Sequence, residues 1–306
     1  MKEAYSTFMR ALSGGKFVFT SEIEPKKTTK FDEIVRAANT LKNHIVACNV
    51  TDNPRAKAHL SSLVASYVIQ RETGLETICQ INVRDRNRLA LISDLLGASA
   101  LGIRNVLVIS GDHIAGGDNP GAMPVYDLDS TQFVQMVRGM VDNGTDLNGN
   151  PIDGDVRLHV GVVGNPNADP LEVEVCKVER KIRAGAEFIQ TQVVFDVEKA
   201  KRFLKDLNLS VPVLIGIFPC KSHRIAEFIV SKIPCISVPK EYIDRLRSAE
   251  CQGNATESRK RIDEVNVDYF SNLIKELRET TRTSGIHIMT IGYESIVGKI
   301  ADVVLG

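Results

Sequence analysis

Ionisable and amide side chains recur directly after short apolar runs along this 306-residue chain. Glu22 interrupts the apolar run FVFTSEI. A carboxyl in such surroundings is partly desolvated, which raises its pKa and suits it to general acid catalysis near neutral pH. The same position also suits a structural carboxylate in a buried ion pair or hydrogen bond, and the residue type alone does not separate the two.

A second group of candidates surrounds the turn SGD, which follows the apolar run NVLVIS. Gly111 lets the backbone approach a ligand closely, and Asp112 places a charge beside it. The alternative is an ordinary turn in which Asp112 caps the chain. Lys181 lies in a segment of helical periodicity, where a lysine is by default a solvated surface charge. Gln192 follows an apolar run, where the amide of a glutamine often only forms hydrogen bonds with backbone groups.

The elements that position these residues follow a regular order. Between residues 17 and 291, β-branched runs alternate with stretches of helical periodicity such as FDEIVRAANTLKN, RLALISDLLGASALG, LEVEVCKVERKIRAGA and SHRIAEFIVSKI, which is typical of βα units. Eight such units favour a closed (β/α)8 barrel, one domain over residues 1–306, over an open doubly wound sheet. Strands are predicted at 17–23, 45–51, 76–82, 105–110, 157–163, 187–192, 211–217 and 286–291.

A barrel of this kind typically needs about 250 residues, so longer connections must hold the remainder. We expect them in the loop 113–127, the turn-rich segment 143–155 and the charged helical stretch 239–283. Barrel enzymes build their sites from the loops after the strands, so polar residues at predicted strand ends should meet. These are Ser21, Glu22, Glu24, Asn49, Thr51, Asp52, Gln80, Asn82, Arg84, Ser110, Gly111, Asp112, Asn165, Asn167, Gln190, Thr191 and Gln192.

Composition excludes several classes of function. Lys plus Arg and Asp plus Glu are equal at 38 each, so no global field favours nucleic acid or an anionic membrane. No apolar run approaches the roughly 20 residues of a spanning helix, and the N-terminus has no signal core, which predicts a cytoplasmic protein. The six cysteines form no CxxC pair and are expected to be buried thiols. The histidines lack metal-ligand spacing, and segment 143–155 lacks the spacing of a calcium loop, so no metal is predicted.

Taken in order, several segments resemble the methylenetetrahydrofolate reductase family over nearly the whole chain: TSEIEPKK, CNVTDNPRA, GIRNVLVISGD, GNPNADP, RKIRAGAEFIQTQVVFD, GIFP and GIHIMTIGYE. The most specific is AGAEFIQTQVVFD, with Lys181 eleven residues before Gln192. The resemblance implies a (β/α)8 barrel that holds a flavin, with FAD as the expected cofactor and FMN as the alternative. It implies reduction of 5,10-methylenetetrahydrofolate to 5-methyltetrahydrofolate by hydride transfer from the reduced flavin.

The same resemblance implies roles for individual residues. Glu22 would be the proton donor, and Asp112 would stabilise the cationic iminium that accepts hydride. Gln192 would bind the pterin, and Tyr293 is expected near the substrate at the end of strand eight. The implied flavin contacts are Thr51, Gln80, Ser110, Gly111, Asp112, Tyr126, Asp129, Asn165 and Lys181.

Departures from the family pattern leave the cofactor and the electron donor open. Ser110 stands where better known bacterial members carry Arg, and Gln80 where they carry His, so FAD and FMN both remain. The aromatic that stacks on nicotinamide has no clear match around Phe228, so NADH as direct donor is open. GIHIMTIGYE and GNPNADP are closer to reductases of acetogen-type anaerobes, which implies a cysteine-rich iron–sulfur or zinc partner subunit, or a homo-oligomer.

Two other classes of function stay in view. One is a folate- or pterin-binding methyltransferase or lyase on the same barrel without flavin. The other is a catalytically idle scaffold subunit, which the retained Glu22, Asp112 and Gln192 argue against. The one-carbon carrier, tetrahydrofolate or tetrahydromethanopterin, also stays open.

Overall fold

The structure, a computed structural model, describes residues 3–207, 211–233, 235–251 and 254–306. Eight parallel strands pair in chain order, and the eighth pairs with the first to close the barrel. The predicted (β/α)8 barrel is therefore confirmed, although the last strand ends at Ile288 rather than at residue 291. The strands are β1 Val18–Ile23, β2 Ala47–Val50, β3 Thr77–Asn82, β4 Asn105–Ile109, β5 His159–Gly164, β6 Phe188–Val193, β7 Val213–Ile217 and β8 Gly285–Ile288.

Eleven helices lie in the described part of the chain. Four of them, α2 (Asp32–Leu41), α4 (Arg88–Ala100), α6 (Leu171–Arg183) and α8 (His223–Lys232), lie where the periodicity of the sequence predicts helices. Two more, α9 (Lys240–Ala249) and α10 (Ala255–Thr280), form the predicted helical insertion between β7 and β8. The helices are α1 Thr7–Ser13, α2 Asp32–Leu41, α3 Ser62–Thr73, α4 Arg88–Ala100, α5 Ser130–Asn143, α6 Leu171–Arg183, α7 Val197–Asp206, α8 His223–Lys232, α9 Lys240–Ala249, α10 Ala255–Thr280 and α11 Ser295–Leu305.

The strands read as nearly continuous apolar runs because both faces of the sheet are covered. Outward-facing residues pack under the helices in one large core. A smaller cluster fills the interior near the amino ends of the strands, where α1 packs the ring of Phe8 edge-on against Phe188, with 5.0 Å between ring centroids. One end of the barrel is thus closed by apolar packing, which leaves the carboxyl ends for a site.

The two predicted loops have little regular structure. Loop 113–127 contains one short 3-10 turn, Ile114–Gly116. Segment 143–155 is a turn closed by an antiparallel bridge between Thr145 and Pro151. No helix among the described residues is both long and apolar enough to cross a membrane.

The cysteines are all unpaired and differ in exposure. Cys48, Cys79 and Cys220 are buried, which agrees with the expectation of buried thiols. Cys176 and Cys235 are exposed, so that expectation is wrong for them, because each lies on a surface helix or turn rather than in a strand.

Candidate active site

The carboxyl ends of the strands surround a cavity of about 480 Å³, within the usual size range of small-molecule sites. A shallow groove of about 940 Å³ between α9 and α10 is larger, but charged surface residues line it and no strand end reaches it. Nine of the twelve residues to which the resemblance assigns a role line the cavity: Glu22, Thr51, Gln80, Ser110, Gly111, Asp112, Asn165, Lys181 and Gln192.

Glu22 is the most perturbed carboxyl of this cavity. Its side chain is 15% exposed. The pKa of Glu22 is raised to about 8, mainly by burial and in smaller part by the neighbouring charge of Glu24, while Arg55 opposes the rise. Among the described residues, no arginine or lysine lies within ion-pair distance of Glu22. The group therefore holds its proton at neutral pH, as a general acid requires.

A layer of four polar side chains lies inside the barrel beneath Glu22. Asn49 Nδ2 donates to Gln190 Oε1 at 2.7 Å, and Gln190 Nε2 donates back to Asn49 Oδ1 at 3.0 Å. Gln190 Nε2 also lies 3.2 Å from Thr20 Oγ1. Thr20 Oγ1 is 3.0 Å from His287 Nδ1, and His287 Nε2 is 3.9 Å from Glu22 Oε2. Burial lowers the pKa of His287 to about 3, so its ring is neutral.

The turn after β4 presents Asp112 at the rim. Gly111 has φ +85°, and a Cβ there would lie 3.0 Å from the Cβ of Arg84, so this turn needs glycine. Asp112 Oδ2 accepts a hydrogen bond from the backbone N–H of Arg55 at 2.6 Å. The main-chain oxygen of Asp112 accepts from Arg84 Nη1 at 2.9 Å. The loop after β2 thus holds the carboxylate of Asp112, and Arg84 holds its main chain.

The loop after β2 has unusual backbone geometry where it covers the cavity. Asn53, Arg55 and Ala56 have positive φ of 46°, 55° and 54°. Such non-glycine residues cost about 1 to 3 kcal/mol each and cluster at functional sites. Gly117 makes room for the loop, because a Cβ there would lie 1.9 Å from the carbonyl oxygen of Ala56. Arg55 Nη2 forms an ion pair with Glu24 Oε1 at 2.5 Å.

Arg84 joins the loops that follow three strands. Its guanidinium is buried and contacts the Asp85 carboxylate at 2.6 and 2.7 Å. The same group donates to the carbonyl oxygens of Asp112 at 2.9 Å and Asn53 at 3.3 Å. Because one planar fork reaches all three loops, their relative positions depend on it.

The opposite wall is built from β5, β6 and α6. Lys181 is not a solvated surface charge, since its Nζ donates to the carbonyl oxygen of Val163 at 3.0 Å and lines the cavity. Burial lowers the pKa of Lys181, and Glu174 opposes that shift. Glu174 Oε1 also accepts from the backbone N–H of Asn165 at 3.0 Å.

The Thr51 hydroxyl is a further indication that this cavity binds a ligand. Its Oγ1 is buried, lies on the cavity wall and has no hydrogen-bond partner in the structure. A buried hydroxyl without a partner is costly and calls for an explanation, such as a bound group that completes it.

Three of the residues to which the resemblance assigns a role lie outside the cavity lining. Tyr126, in loop 113–127, is 44% exposed and has φ 43°. Asp129 caps α5, where its side chain accepts from the backbone N–H of Gln132. Tyr293 is buried behind the barrel, where its hydroxyl donates to Asp263, because β8 ends early and the chain has already turned towards α11.

The structure also adds two residues that sequence reasoning did not single out, Arg55 and His287. Arg55 gave no signal, because nothing in NPRA predicts a left-handed turn. His287 gives the same signal as Glu22, a polar residue within an apolar strand, but it lacks the metal-ligand spacing that marks a functional histidine in sequence. In the described part of the chain, no group of three or more His, Cys, Asp or Glu side chains could hold a metal ion.

A closed barrel whose strand ends carry a buried acid, a held carboxylate and an amide has the architecture of a (β/α)8-barrel enzyme. The model of the family described as methylenetetrahydrofolate reductase matches residues 7–304. The chain therefore belongs to the methylenetetrahydrofolate reductase family.

Two named relatives match this chain at low identity. A probable methylenetetrahydrofolate reductase (NADPH) of Caenorhabditis elegans is 21% identical over 247 residues, 80% of this chain and 34% of that protein. The 5,10-methylenetetrahydrofolate reductase of Salmonella typhimurium is 24% identical over 211 residues, 68% of this chain and 64% of that protein. The chain thus spans only part of the length of these relatives.

Among solved structures, a protein from Clostridium thermocellum, described as binding two copies of 5-methyl-5,6,7,8-tetrahydrofolic acid, superimposes with a TM-score of 0.65. It is 16% identical, and the match covers 97% of this chain and 98% of that one. At this identity the likeness shows a shared fold.

Proposed function

We propose that this chain reduces 5,10-methylenetetrahydrofolate to 5-methyltetrahydrofolate with hydride from a reduced flavin, as the catalytic subunit of a cytoplasmic complex. Family membership and the names of the relatives support the reaction. The observation that carries it is Glu22, a carboxyl that holds its proton near neutrality at the floor of the cavity.

The chemistry asks the protein for a proton and for a negative charge. Protonation of the leaving nitrogen opens the five-membered ring of the substrate and leaves a cationic iminium carbon, which becomes the methyl group when it accepts hydride. Glu22 supplies the proton, because its raised pKa keeps it loaded at the pH of the reaction. Asp112, fixed at the rim by Arg55 and Arg84, supplies the negative charge that stabilises the cation.

Binding the substrate needs hydrogen-bond partners for the pterin. Two amides of β6, Gln190 and Gln192, line the cavity. Gln190 is buried and paired with Asn49, whereas Gln192 is exposed, so we assign Gln192 to the pterin. Tyr293 lies behind the barrel, so we assign it a structural part in holding α10.

The residues present fit a flavin. Thr51 offers an unpartnered buried hydroxyl, Gly111 brings backbone close to the cavity, and Lys181 supplies a cation on the opposite wall. Gln80, Ser110 and Asn165 complete the wall that would hold it, whether FAD or FMN. When bound, the reduced flavin supplies the hydride.

We assign the supply of electrons to a second protein chain. We propose that a cysteine-rich iron–sulfur or zinc subunit, or a second copy of the chain, completes the enzyme. A methyltransferase or lyase without flavin remains the second candidate, because 5-methyltetrahydrofolate is the ligand named for the Clostridium thermocellum structure.

Reconstitution and one substitution test the proposal. The purified protein, incubated with FAD or FMN and desalted, should retain a flavin absorbance band, and a chemically reduced sample should be reoxidised by methylenetetrahydrofolate. Glu22→Gln should keep flavin reduction and lose folate reduction by at least about 100-fold, the range of a general acid. Glu33→Gln, which removes an exposed carboxyl ion-paired with Lys26, is the matched control and should change neither.

Two outcomes would contradict the proposal. Failure to retain either flavin would favour the methyltransferase or lyase. Equal loss of both half-reactions in Glu22→Gln would remove Glu22 from the proton-transfer role.

A further inference from the structure

We propose that His287 is a positioning residue that determines which oxygen of Glu22 carries the proton. This inference rests on the proposed role of Glu22 as proton donor. It concerns a side chain that packs beneath Glu22, at the centre of the barrel.

The hydrogen-bond pattern fixes the tautomer of His287. Gln190 Nε2 donates to Asn49 Oδ1 and to Thr20 Oγ1. The Thr20 hydroxyl lies 3.0 Å from His287 Nδ1 and 3.5 Å from the carbonyl oxygen of Ile286, so Nδ1 is the nearer acceptor for its hydrogen. Gln190 Nε2, which carries only hydrogens, also faces Nδ1 at 3.4 Å. Nδ1 is therefore the acceptor, and a neutral imidazole carries its hydrogen on Nε2.

The hydrogen on Nε2 faces Glu22. His287 Nε2 lies 3.9 Å from Glu22 Oε2, longer than a hydrogen bond. Catalytic hydrogen bonds are often long before substrate binds and shorten in the complex. Nε2–H can only donate, and the carbonyl oxygen of a protonated carboxyl is a better acceptor than its hydroxyl oxygen. When the two groups approach, the imidazole therefore favours the form of Glu22 in which Oε2 is the carbonyl oxygen and the acidic hydrogen lies on Oε1.

Burying four polar side chains inside the barrel is unfavourable in free energy, and packing alone does not explain why they are there. Barrel interiors are usually filled with branched apolar residues. Here Thr20, Asn49, Gln190 and His287 are all buried, and burying polar groups is unfavourable unless they are hydrogen-bonded. Each has a partner within the layer, so the layer holds the imidazole in one orientation.

Few charges surround this pair. Glu22 is faced by Glu24 just after its own strand, by Arg55 from the loop after β2, and by His287 from β8. Among the described residues, His287 is faced by no charge other than Glu22, and burial is the cause of its lowered pKa. The imidazole thus stays a neutral donor over the working pH range, and its effect on Glu22 does not switch with pH.

Two substitutions separate the donor from the packing. In His287→Gln, the amide nitrogen can take the place of Nε2 and keep a donor towards Glu22. In His287→Asn, the shorter amide can replace Nδ1 against Thr20 but cannot reach Glu22. The reconstituted enzyme is then followed in the folate half-reaction across pH, and the carboxyl infrared band that Glu22→Gln removes is titrated in the flavin-free protein.

We expect His287→Gln to stay within a few-fold of the parent in the folate half-reaction. His287→Asn should fall on the order of tenfold to a hundredfold, the range of a hydrogen bond to a charged group, with flavin reduction unchanged. Loss of a donor to the carboxylate also raises the pKa of Glu22. The infrared titration and the alkaline limb of the rate profile should therefore move to higher pH in His287→Asn alone.

The failures are distinguishable. If both His287 variants match the parent in rate and in the Glu22 titration while Glu22→Gln still abolishes folate reduction, His287 has no positioning role and Glu22 keeps its own. If both variants lose activity equally without moving the titration, His287 acts only in packing. If Glu22→Gln retains folate reduction, the proposed function itself is wrong.

Discussion

The two halves of the cavity rim are built differently. On the side of β1 to β4, carboxylates are matched with arginines: Arg86 pairs with Asp52 at 2.7 Å, Arg55 with Glu24, and Arg84 with Asp85. On the side of β5 to β8, the described residues of the cavity wall are mainly amides and apolar side chains. Lys181 there donates to a main-chain carbonyl.

The contrast shows what is special about Glu22. It lies in the half that is richest in arginine, yet no described arginine or lysine is at ion-pair distance from it. Asp112 also has no such partner, but Asp112 is exposed and Glu22 is largely buried. The closest charges and rings around Glu22 are a second carboxylate and a neutral imidazole, and Arg55 opposes burial only in part, so the proton is retained. The first half thus combines ion pairs with one buried acid that has no ion-pair partner, while the second half offers hydrogen-bond partners for a ligand.

The largest effect should come from removing the arginine that braces the first half. Arg84→Met removes the arginine that is ion-paired with Asp85, leaves that carboxylate only its hydrogen bonds from Asn53 and Asn82, and frees the loops after β2 and β4. We therefore expect a loss of about 3 to 5 kcal/mol in the free energy of unfolding. Chemical denaturation measures it. Arg88→Met is the control, because its ion pair with Asp127 is exposed, and it should change the midpoint far less. Equal effects would show that the rim is not braced by Arg84.

The next effect concerns the cost of keeping Glu22 buried. Its pKa is raised when the protein folds, so the folded state binds the proton more tightly than the unfolded chain does. Stability from this group is present at low pH and is lost as pH rises from about 4.5 to about 8. Glu22→Gln, which resembles the protonated form, should match the parent at pH 4 and exceed it at pH 9.

The size of that gain is bounded by the shift. Each pKa unit corresponds to about 1.4 kcal/mol, and partial exposure reduces the total, so we expect about 2 to 3 kcal/mol at pH 9. Thermal or chemical unfolding at the two pH values measures it. A variant less stable than the parent at pH 9 would mean that Glu22 is a structural carboxylate, the alternative that its sequence position left open.

A smaller effect should come from the second half. Gln192→Ala removes one amide from the wall assigned to the pterin, which corresponds to about 1 kcal/mol, or roughly fivefold, in folate affinity. Equilibrium titration of the reconstituted protein with 5-methyltetrahydrofolate measures it, and flavin affinity should not change. Unchanged folate affinity would move pterin recognition to the first half of the rim.

Much of the fold could be predicted from the sequence, because each strand is an apolar run of limited length and each long connection shows as surplus residues. The sequence does not predict helix α1, because this helix is stabilised by closing the barrel. That role depends on a long-range contact between Phe8 and Phe188. The strand-end rule found most of the cavity lining. It misplaced Tyr293, because a strand that ends early lets the chain turn before the residue is reached.

The electrostatic surroundings of Glu22 could not be predicted from the sequence. Glu22 could be named as a buried acid, but its lack of a cationic partner depends on where Arg55 points. That direction is set by a left-handed backbone that Arg and Ala seldom adopt. The fit of Gly117 against Ala56 maintains this conformation, and the two segments are far apart in the chain.

The smallest predicted effect tests whether the ion-paired rim reaches Glu22 at all. Arg55 lowers the pKa of Glu22, while Glu24 raises it. Arg55→Asn removes the cation and leaves Glu24 unneutralised, and both changes favour the protonated form of Glu22. Asn tolerates positive φ, so the backbone N–H that holds Asp112 should stay in place. We expect the alkaline limb of folate reduction to move up by a fraction of a pH unit.

The rate of folate reduction as a function of pH, at low and at high salt, measures this shift. Arg55 is half exposed, so salt should reduce the difference between the variant and the parent. Arg55→Lys is the matched control, because it keeps the positive charge and should leave the limb near its original position. A limb that does not move in Arg55→Asn would mean that burial alone sets the proton affinity of Glu22. The arginines of the first half would then act only in holding the loops.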